Sequence, residues 1–224
     1  MGDLITVNGL NRIFPITGGE LHVLKDISLA IPEHCLTILK GRSGSGKTTL
    51  INLLGALDLP TSGSICFDGK DITKLSEAER EKLRRTQIGF VFQSVSLIPM
   101  MSAYENVEFS MRLAGVEKDR KDRAVKCLKK VGLGARMNHM PAEMSGGEQQ
   151  RVAIARAIAH GPRIIFADEP TAELDSQTAA TVVKLFKDLV ETENVTIVMT
   201  THDTGLMSAA DVVYELEDGV ILNG

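Results

Sequence analysis

The spacing of residues 41–48 is suited to binding nucleotide phosphates. The segment reads G-x-x-x-x-G-K-T and ends in Lys47 and Thr48. In such a loop the glycines let backbone N–H groups turn toward a phosphate oxygen, the lysine reaches the β- and γ-phosphates, and the hydroxyl ligates Mg²⁺. The flanking residues favour a strand over residues 36–39 and a helix from Thr48. Because a helix N-terminus attracts anions, the phosphates should lie there. The alternative is a glycine- and serine-rich turn with no ligand.

Two adjacent carboxylates follow a short apolar run in the second half of the chain. Residues 164–167 read Ile-Ile-Phe-Ala, and Asp168 and Glu169 come directly after them. This pattern predicts a buried parallel strand whose carboxyl end opens into the crevice where α/β sheets bind ligands. Asp168 could hold Mg²⁺ there, and Glu169 could accept a proton from an attacking water. Taken alone, the pair is also typical of a solvated loop.

A second helix N-terminus with anion-binding character is predicted at Ser145. Ser145 and Glu148 have the spacing of a capping box, which predicts a helix running through residues 152–158. Gly146 and Gly147 in its first turn leave backbone N–H groups exposed. Within a single chain, this terminus and the Lys47 loop cannot easily share one phosphate group.

Taken together, these motifs resemble the nucleotide-binding subunit of an ATP-binding cassette (ABC) transporter, and the resemblance covers essentially the whole chain. Residues 144–148 read MSGGE, which is similar to the LSGGQ signature of that family with Met for Leu and Glu for Gln. The resemblance implies an ATPase that uses ATP and Mg²⁺. It also implies a head-to-tail homodimer, in which each ATP lies between the phosphate loop of one copy and the signature of the other.

The resemblance implies roles for four further residues. Gln93, after the apolar residues 88–92, would join two subdomains, contact Mg²⁺ and the attacking water, and couple them to a membrane partner. His202 would contact the γ-phosphate, Asp175 would lie at the dimer interface, and Phe14 would stack on adenine. From the residues alone, plainer interpretations stay open: an edge glutamine, a capping or core histidine, a helix cap and a core aromatic.

The predicted site therefore consists of three sets of residues. The catalytic set is Glu169, His202, Lys47 and Gln93. The nucleotide-binding set is Phe14, Gly41, Arg42, Ser43, Gly44, Ser45, Gly46, Lys47, Thr48, Thr49, Gln93, Ser145, Gly146, Gly147, Glu148 and Asp175. The metal set is Thr48, Gln93 and Asp168.

Composition bounds the class of protein. The 224 residues contain 43% hydrophobic residues, enough for one sizeable core. The net charge of −4 provides no basic field for nucleic acid, so no nucleic-acid partner is expected. The sequence has no run of 18 apolar residues and therefore no predicted membrane span. Three cysteines without paired spacing favour a reduced cytosolic location. With the family resemblance, this predicts a peripheral protein at the cytoplasmic face of the cell membrane, bound through transmembrane permease subunits.

The alternation of strand and helix patterns predicts an α/β fold. The resemblance implies a P-loop NTPase (RecA-like) core with a mostly parallel sheet, an antiparallel β layer and an inserted α-helical subdomain. We assign residues 1–93 and 144–224 to the β layer and core, and residues 94–143, where the pattern is helical, to the subdomain. All belong to one nucleotide-binding domain. A capping box at Ser76 and Glu79 and a hairpin turning at Asp218-Gly219 are also predicted.

Three further segments resemble one branch of the family. Residues 18–29, 92–99 and 103–107 are similar to the ATPases of lipoprotein-releasing and macrolide-efflux exporters, a group related to antimicrobial-peptide and haem exporters. The chain departs from that branch at residues 172–173, which read Ala-Glu in place of Gly-Asn, and at His34, where a turn glycine is common. Two alternatives remain open: an ATPase of a non-transport membrane complex that regulates cell-wall enzymes, and a soluble ABC ATPase acting on DNA or ribosomes.

Overall fold

The computed structural model describes residues 2–223. Within that range the strands are β1 (Asp3–Ile16), β2 (Gly19–Pro32), β3 (Leu36–Lys40), β4 (Ser62–Phe67), β5 (Lys70–Asp71), β6 (Ile88–Val91), β7 (Ile164–Ala167), β8 (Thr196–Thr201), β9 (Val212–Glu217) and β10 (Val220–Asn223). The α-helices are α1 (Lys47–Leu54), α2 (Glu77–Gln87), α3 (Ala103–Leu113), α4 (Arg120–Lys130), α5 (Gly146–Ile158) and α6 (Ser176–Glu193).

The central sheet has the order β10-β9-β3-β8-β7-β6 in the described part of the chain. Strands β9, β3, β8, β7 and β6 run parallel, and β10 pairs antiparallel with β9. Strands β7 and β8 are buried along their whole length, as expected for a parallel sheet covered on both faces. The carboxyl ends of β3, β7 and β8 meet at one edge, which places the predicted phosphate loop, carboxylates and histidine together. The predicted α/β class with a mostly parallel sheet is confirmed.

An antiparallel sheet of order β2-β1-β4-β5 lies beside the central sheet within residues 2–223. The Lys25 N–H donates to the Gly219 carbonyl (2.7 Å), so β2 contacts the β9–β10 turn. Arg163, just before β7, pairs with Glu33 (Nη2 to Oε1, 2.5 Å) after β2 and with Asp68 after β4. The predicted antiparallel β layer is therefore present, and hydrogen bonds and ion pairs attach it to the core.

Helices α3 and α4 pack against α5 around buried residues such as Met111, Leu128 and Ile154. The helical pattern predicted for residues 94–143 is too broad: residues 94–102 are irregular, and turns occupy much of residues 131–140. The α3 helix begins only at Ala103, after an N-cap at Ser102 that forms a capping box with Glu105. Gly132 adopts φ +76° just after α4 and ends that helix in the left-handed conformation.

Two local predictions, a helix cap and a hairpin turn, are confirmed. Ser76 and Glu79 form the expected capping box at the start of α2. Asp218 and Gly219 both have positive φ (46° and 82°), as a tight hairpin turn between β9 and β10 requires. In residues 2–223, each helix is too short or too polar to cross a bilayer.

Candidate functional site

The phosphate loop joins β3 to α1, and Val23 and Leu24 of β2 pack against it at Gly46. Gly46, at the N-cap of α1, has φ +105°. A Cβ on Gly46 would lie 2.8 Å from Leu24 Cδ2 and 3.2 Å from the Val23 carbonyl oxygen, so a side chain would force β2 away. The second glycine of the motif is therefore required both by its backbone conformation and by the close approach of the β layer.

Lys47 is almost fully buried, with 4% of its side chain exposed. Its Nζ donates to the carbonyl oxygens of Gly41 (2.9 Å) and Arg42 (3.0 Å) and lies 3.3 Å from Glu169 Oε1. The ammonium group is thus held between the loop and the carboxylate, beside a cavity of about 310 Å³. That cavity is lined by Val23, Ser43, Gly44, Gly46, Lys47, Thr48, Thr49, Gln93 and Glu169.

Asp168 and Glu169 follow β7 and are oriented by Thr200 on the neighbouring strand β8. The Thr200 hydroxyl donates to Asp168 Oδ1 (2.6 Å) and accepts the Glu169 N–H (2.8 Å). Glu169 has φ +44°, a left-handed conformation that is costly for a non-glycine residue. Thr200, which is fully buried, stabilises this turn through these two hydrogen bonds.

His202 approaches Glu169 from the opposite side to Lys47. Its Nδ1 lies 3.1 Å from Glu169 Oε2, and 63% of its side chain is exposed. One oxygen of the carboxylate therefore faces the lysine of the phosphate loop and the other faces the histidine after β8. The structure brings three of the four predicted catalytic side chains into direct contact, and Gln93 lines the same cavity.

Ser145 begins α5 as the predicted capping box. Its hydroxyl accepts the Glu148 N–H (3.2 Å), and Glu148 Oε2 accepts the Ser145 N–H (2.9 Å). That backbone bond holds the pKa of Glu148 below its usual value, as does the Arg136 guanidinium 3.2 Å from its Oε1. A Cβ on Gly146 would have no atom within 4 Å, so the first turn of α5 is open to a ligand.

The signature residues lie in a different cavity from the phosphate loop. This second cavity, of about 540 Å³, is lined by Ser145, Gly146, Gly147, Glu148, Arg151, Glu173, Leu174, Asp175 and Thr178. Asp175 caps α6 by accepting the N–H groups of Gln177 and Thr178 (3.0 Å each). The Thr178 hydroxyl and these N–H groups lower the pKa of Asp175. The cap predicted from the residues is confirmed. Its position beside Ser145 is compatible with the interface role that the resemblance implies.

The remaining predicted residues lie around these two cavities. Gly41, Arg42 and Ser45 line a neighbouring space of about 320 Å³ with the end of β9 and Asp218 of the turn after it. Phe14 is half-buried on β1, and Arg12 lies 4.3 Å above the centre of its ring. Phe14 is not among the described residues that line the phosphate cavity.

The donor set of the phosphate cavity fits a nucleotide with a divalent cation. The buried Ser45 hydroxyl, inside the loop, has no hydrogen-bond partner among residues 2–223. Lys47 supplies a cation for phosphate oxygens. The side chains of Thr48, Gln93 and Asp168 supply hard oxygen ligands of the kind that Mg²⁺ prefers.

Sequence patterns alone miss two residues at this site, Val23 and Thr200. Val23 lines the phosphate cavity from β2, a strand distant in sequence from the motif. Thr200 is one of three threonines in β8, so its residue type does not distinguish it. A signal for Thr200 existed, because a polar side chain one strand over from the Asp-Glu pair and near the same carboxyl edge is placed to contact it.

Comparison with known proteins identifies the family. The profile of the family described as "ABC transporter" matches residues 24–172. The chain belongs to this family. The ABC cassette is accordingly an ATP-binding ATPase, and the predicted resemblance is confirmed.

Relatives of the cassette occur alone and as parts of longer chains. It is 47% identical to an uncharacterised ABC transporter ATP-binding protein of Methanocaldococcus jannaschii, covering 98% of both chains. It is 42% identical to the lipoprotein-releasing system ATP-binding protein LolD 2 of Rhodopirellula baltica, covering 97% of this chain and 88% of that one. It is 44% identical to the macrolide export ATP-binding/permease protein MacB of Syntrophobacter fumaroxidans over 98% of this chain, but it spans only 31% of that relative.

Solved structures confirm the cassette fold. The ATP-binding cassette MJ0796, in a dimeric post-hydrolysis state bound to ADP and Pi, matches with a TM-score of 0.90 and 38% identity. The match covers 98% of this chain and 97% of that one. CbiO1 of Clostridium perfringens, part of the transporter complex cbiONQ, matches with a TM-score of 0.89 at 29% identity.

Proposed function

We propose that the cassette is the ATP-hydrolysing subunit of a membrane ABC transporter of the exporter or mechanical-relay type. Two copies would close head to tail around two Mg·ATP, and this closure would drive permease subunits bound at the cytoplasmic face of the membrane. Its macrolide-export and lipoprotein-releasing relatives support this branch. The transported substrate would contact the permease.

The separation of the two anion-binding features carries the proposal of a homodimer. The phosphate loop with Lys47 and the α5 N-terminus with Ser145 open into different cavities that have no lining residue in common. An ATP held by both features therefore needs the signature of a second copy. The dimeric state of the MJ0796 cassette supports the same arrangement.

The chemistry proposed for the site follows from its contacts. Lys47 and the loop amides would hold the phosphates, while Phe14 would stack on the adenine. Glu169 would accept the proton of the attacking water, and His202, already in contact with Glu169, would face the γ-phosphate. The partner's Ser145 and Gly147 would donate to the γ-phosphate as its charge develops.

A magnesium ion is part of this proposal. Thr48, Gln93 and Asp168 would hold it, and the bound ion would neutralise charge on the β- and γ-phosphates. In the structure, Thr48 and Gln93 line one cavity, and Thr200 fixes Asp168 in position beside Glu169. These oxygen ligands match the preference of Mg²⁺ for hydroxyl, amide and carboxylate oxygens.

A pull-down from mildly solubilised membranes tests the transporter assignment. The bait is the Glu169→Gln variant with ATP, which should hold the closed dimer, and the control is the same variant without nucleotide. Recovery of a permease with a large extracytoplasmic domain only in the presence of ATP supports the proposal. Recovery of ribosomal or DNA-associated proteins in place of a membrane protein would leave the ATPase assignment unchanged and overturn the transporter assignment. Co-recovery of cell-wall enzymes would favour the regulatory alternative.

A further inference from the structure

The segment between β6 and α3 connects the phosphate cavity to the helical region. It starts at Val91, whose carbonyl accepts the Asp168 N–H (2.9 Å), so this end is attached to the central sheet. Gln93, which lines the phosphate cavity, comes two residues later. Beyond it, Ser96 adopts φ +48° in an irregular stretch that continues to Ser102.

Two polar side chains from the helices hold the far end of this segment. Arg156 of α5 donates through Nη1 to the Ser96 carbonyl (2.6 Å) and through Nη2 to the Val95 carbonyl (3.2 Å). Asn106 of α3, which is fully buried, accepts the Ile98 N–H (2.8 Å) and donates to the Met101 carbonyl (2.8 Å). The segment from Val95 onward is therefore attached to the helices.

The environment of Arg156 is unusual for a cation. None of the ion pairs formed among residues 2–223 includes Arg156, which is partly exposed, and burial lowers the pKa of its guanidinium group. Partial removal of an unpaired cation from water costs free energy, and the bonds to the Ser96 and Val95 carbonyls offset part of that cost. No ion pair accounts for the position of Arg156, whereas its hydrogen bonds to the Ser96 and Val95 carbonyls do.

Gln93 lies between the two attachments. In the described part of the chain its side chain makes no hydrogen bond, and it is exposed at the mouth of the cavity. Phe92 stacks on Phe90 of β6 with ring centres 5.6 Å apart, and the Ser96 hydroxyl donates to the Ser94 carbonyl (2.8 Å). Gln93 therefore lies between the part of the segment held by the sheet and the part held by α5. A displacement of α5 at Arg156 would act on Gln93 through Val95 and Ser96.

We propose that Arg156 is a positioning residue for ATP hydrolysis. By holding Val95 and Ser96, it couples the position of Gln93 to the position of α5. This helix carries Ser145 at its N-terminus and Arg156 ten residues after Gly146, a distance of about 15 Å along a rigid helix. In the proposed dimer, Ser145 serves one ATP while Gln93 of the same chain serves the other. Arg156 therefore couples the two nucleotide sites, an inference that depends on the head-to-tail dimer proposed above.

The experiment compares Arg156→Gln, Arg156→Lys and a matched control, Ser110→Ala, in the full chain. The Ser110 hydroxyl donates to the Arg156 and Val107 carbonyls (3.0 and 2.8 Å), so its loss disturbs the same helix contact without touching the loop.

We expect Arg156→Gln to lower kcat by about tenfold or more, because misplaced reacting groups lose rate steeply. Affinity for a fluorescent ATP analogue should stay within about twofold, and the Hill coefficient for ATP should fall toward 1. Arg156→Lys, which keeps the charge but not the paired donors, should recover kcat only in part, and Ser110→Ala should resemble the wild type.

A double-mutant cycle with Gln93→Ala separates positioning from a general loss of structure. If Arg156 acts through Gln93, adding Arg156→Gln to Gln93→Ala changes kcat by less than about twofold. Fully additive losses, or a wild-type kcat in Arg156→Gln, would overturn the inference. So would a lower melting temperature accompanied by equal loss of nucleotide affinity in both Arg156 variants. Failure of the proposed function looks different, because the Glu169→Gln chain would then show no ATP-dependent dimer.

Discussion

At the scale of single residues, Glu169 is held between two donors in a strained conformation. Its carboxylate contacts Lys47 and His202, and its φ is +44°. Glu169→Gln keeps the size of the side chain but removes the base, so we predict about 10²- to 10⁴-fold slower hydrolysis with ATP binding retained. Light scattering should show an ATP-dependent dimer that persists for hours. Hydrolysis at a rate close to wild type would exclude Glu169 as the base.

Thr200 offers a second test at this scale, because its hydroxyl bonds the Asp168 carboxylate and the Glu169 backbone N–H and does not line the phosphate cavity. Thr200→Val conserves shape but removes the bonds to Asp168 and the Glu169 N–H. Leaving that buried N–H unpaired should cost about 1–3 kcal/mol of stability. We also predict a lower kcat with little change in nucleotide affinity, measured by steady-state kinetics and equilibrium binding. Thr37→Val on the neighbouring strand β3 is the matched control, because it removes a buried hydroxyl that has no hydrogen-bond partner among residues 2–223; equal effects of the two changes on kcat would contradict a specific role of Thr200.

At the scale of elements, two adjacent glycines at the N-terminus of α5 have different surroundings. A side chain at Gly147 would affect folding, and one at Gly146 would affect ligand contact. A Cβ on Gly147 would lie 2.6 Å from Thr178 Cγ2, whereas one on Gly146 would meet nothing within 4 Å. We predict that Gly147→Ala lowers the melting temperature, because the start of α6 must shift. Gly146→Ala should fold like the wild type but fail to form the ATP-dependent dimer, since its Cβ would enter the space proposed for the partner's ATP. Normal dimerisation of Gly146→Ala would argue against the head-to-tail arrangement.

At the scale of the whole molecule, carboxylate caps link the stability of several helices to pH. N–H groups and hydroxyls lower the pKa values of Glu79, Glu105, Glu148 and Asp175 in the folded state. A lowered pKa adds stability above the ordinary value, 4.5 for Glu and 3.8 for Asp, and this stability is lost as pH falls through the folded-state value. We therefore predict a melting temperature that declines as pH falls below the ordinary glutamate value.

The control for this prediction is Glu105→Gln, measured by thermal unfolding across the same pH range. Glutamine can still accept the Ser102 N–H in a capping box but does not titrate there. The variant should show a shallower decline of melting temperature in acid than the wild type. An unchanged slope would mean that caps contribute little to acid unfolding.

Local spacing was sufficient to predict the features formed by residues a few positions apart. The capping box of Ser145 and Glu148 and the Asp175 cap depend on bonds between residues two or three positions apart, so their residue types identify them. The phosphate loop is another such case. The strands β3 and β7 were evident from short apolar runs.

Contacts between side chains that are far apart in the sequence depend on how the elements pack. Thr200 reaches Asp168 across 32 positions, and Arg156 reaches Ser96 across 60. Neither pair has a local pattern, because each contact depends on which strands and helices become neighbours. The motif residues, local caps and strand patterns were thus determined by sequence alone. The orientation of the carboxylates, the separation of the two anion-binding cavities and the attachment of the Gln93 loop to α5 were decided by packing, since non-local contacts form only when the core brings these elements together.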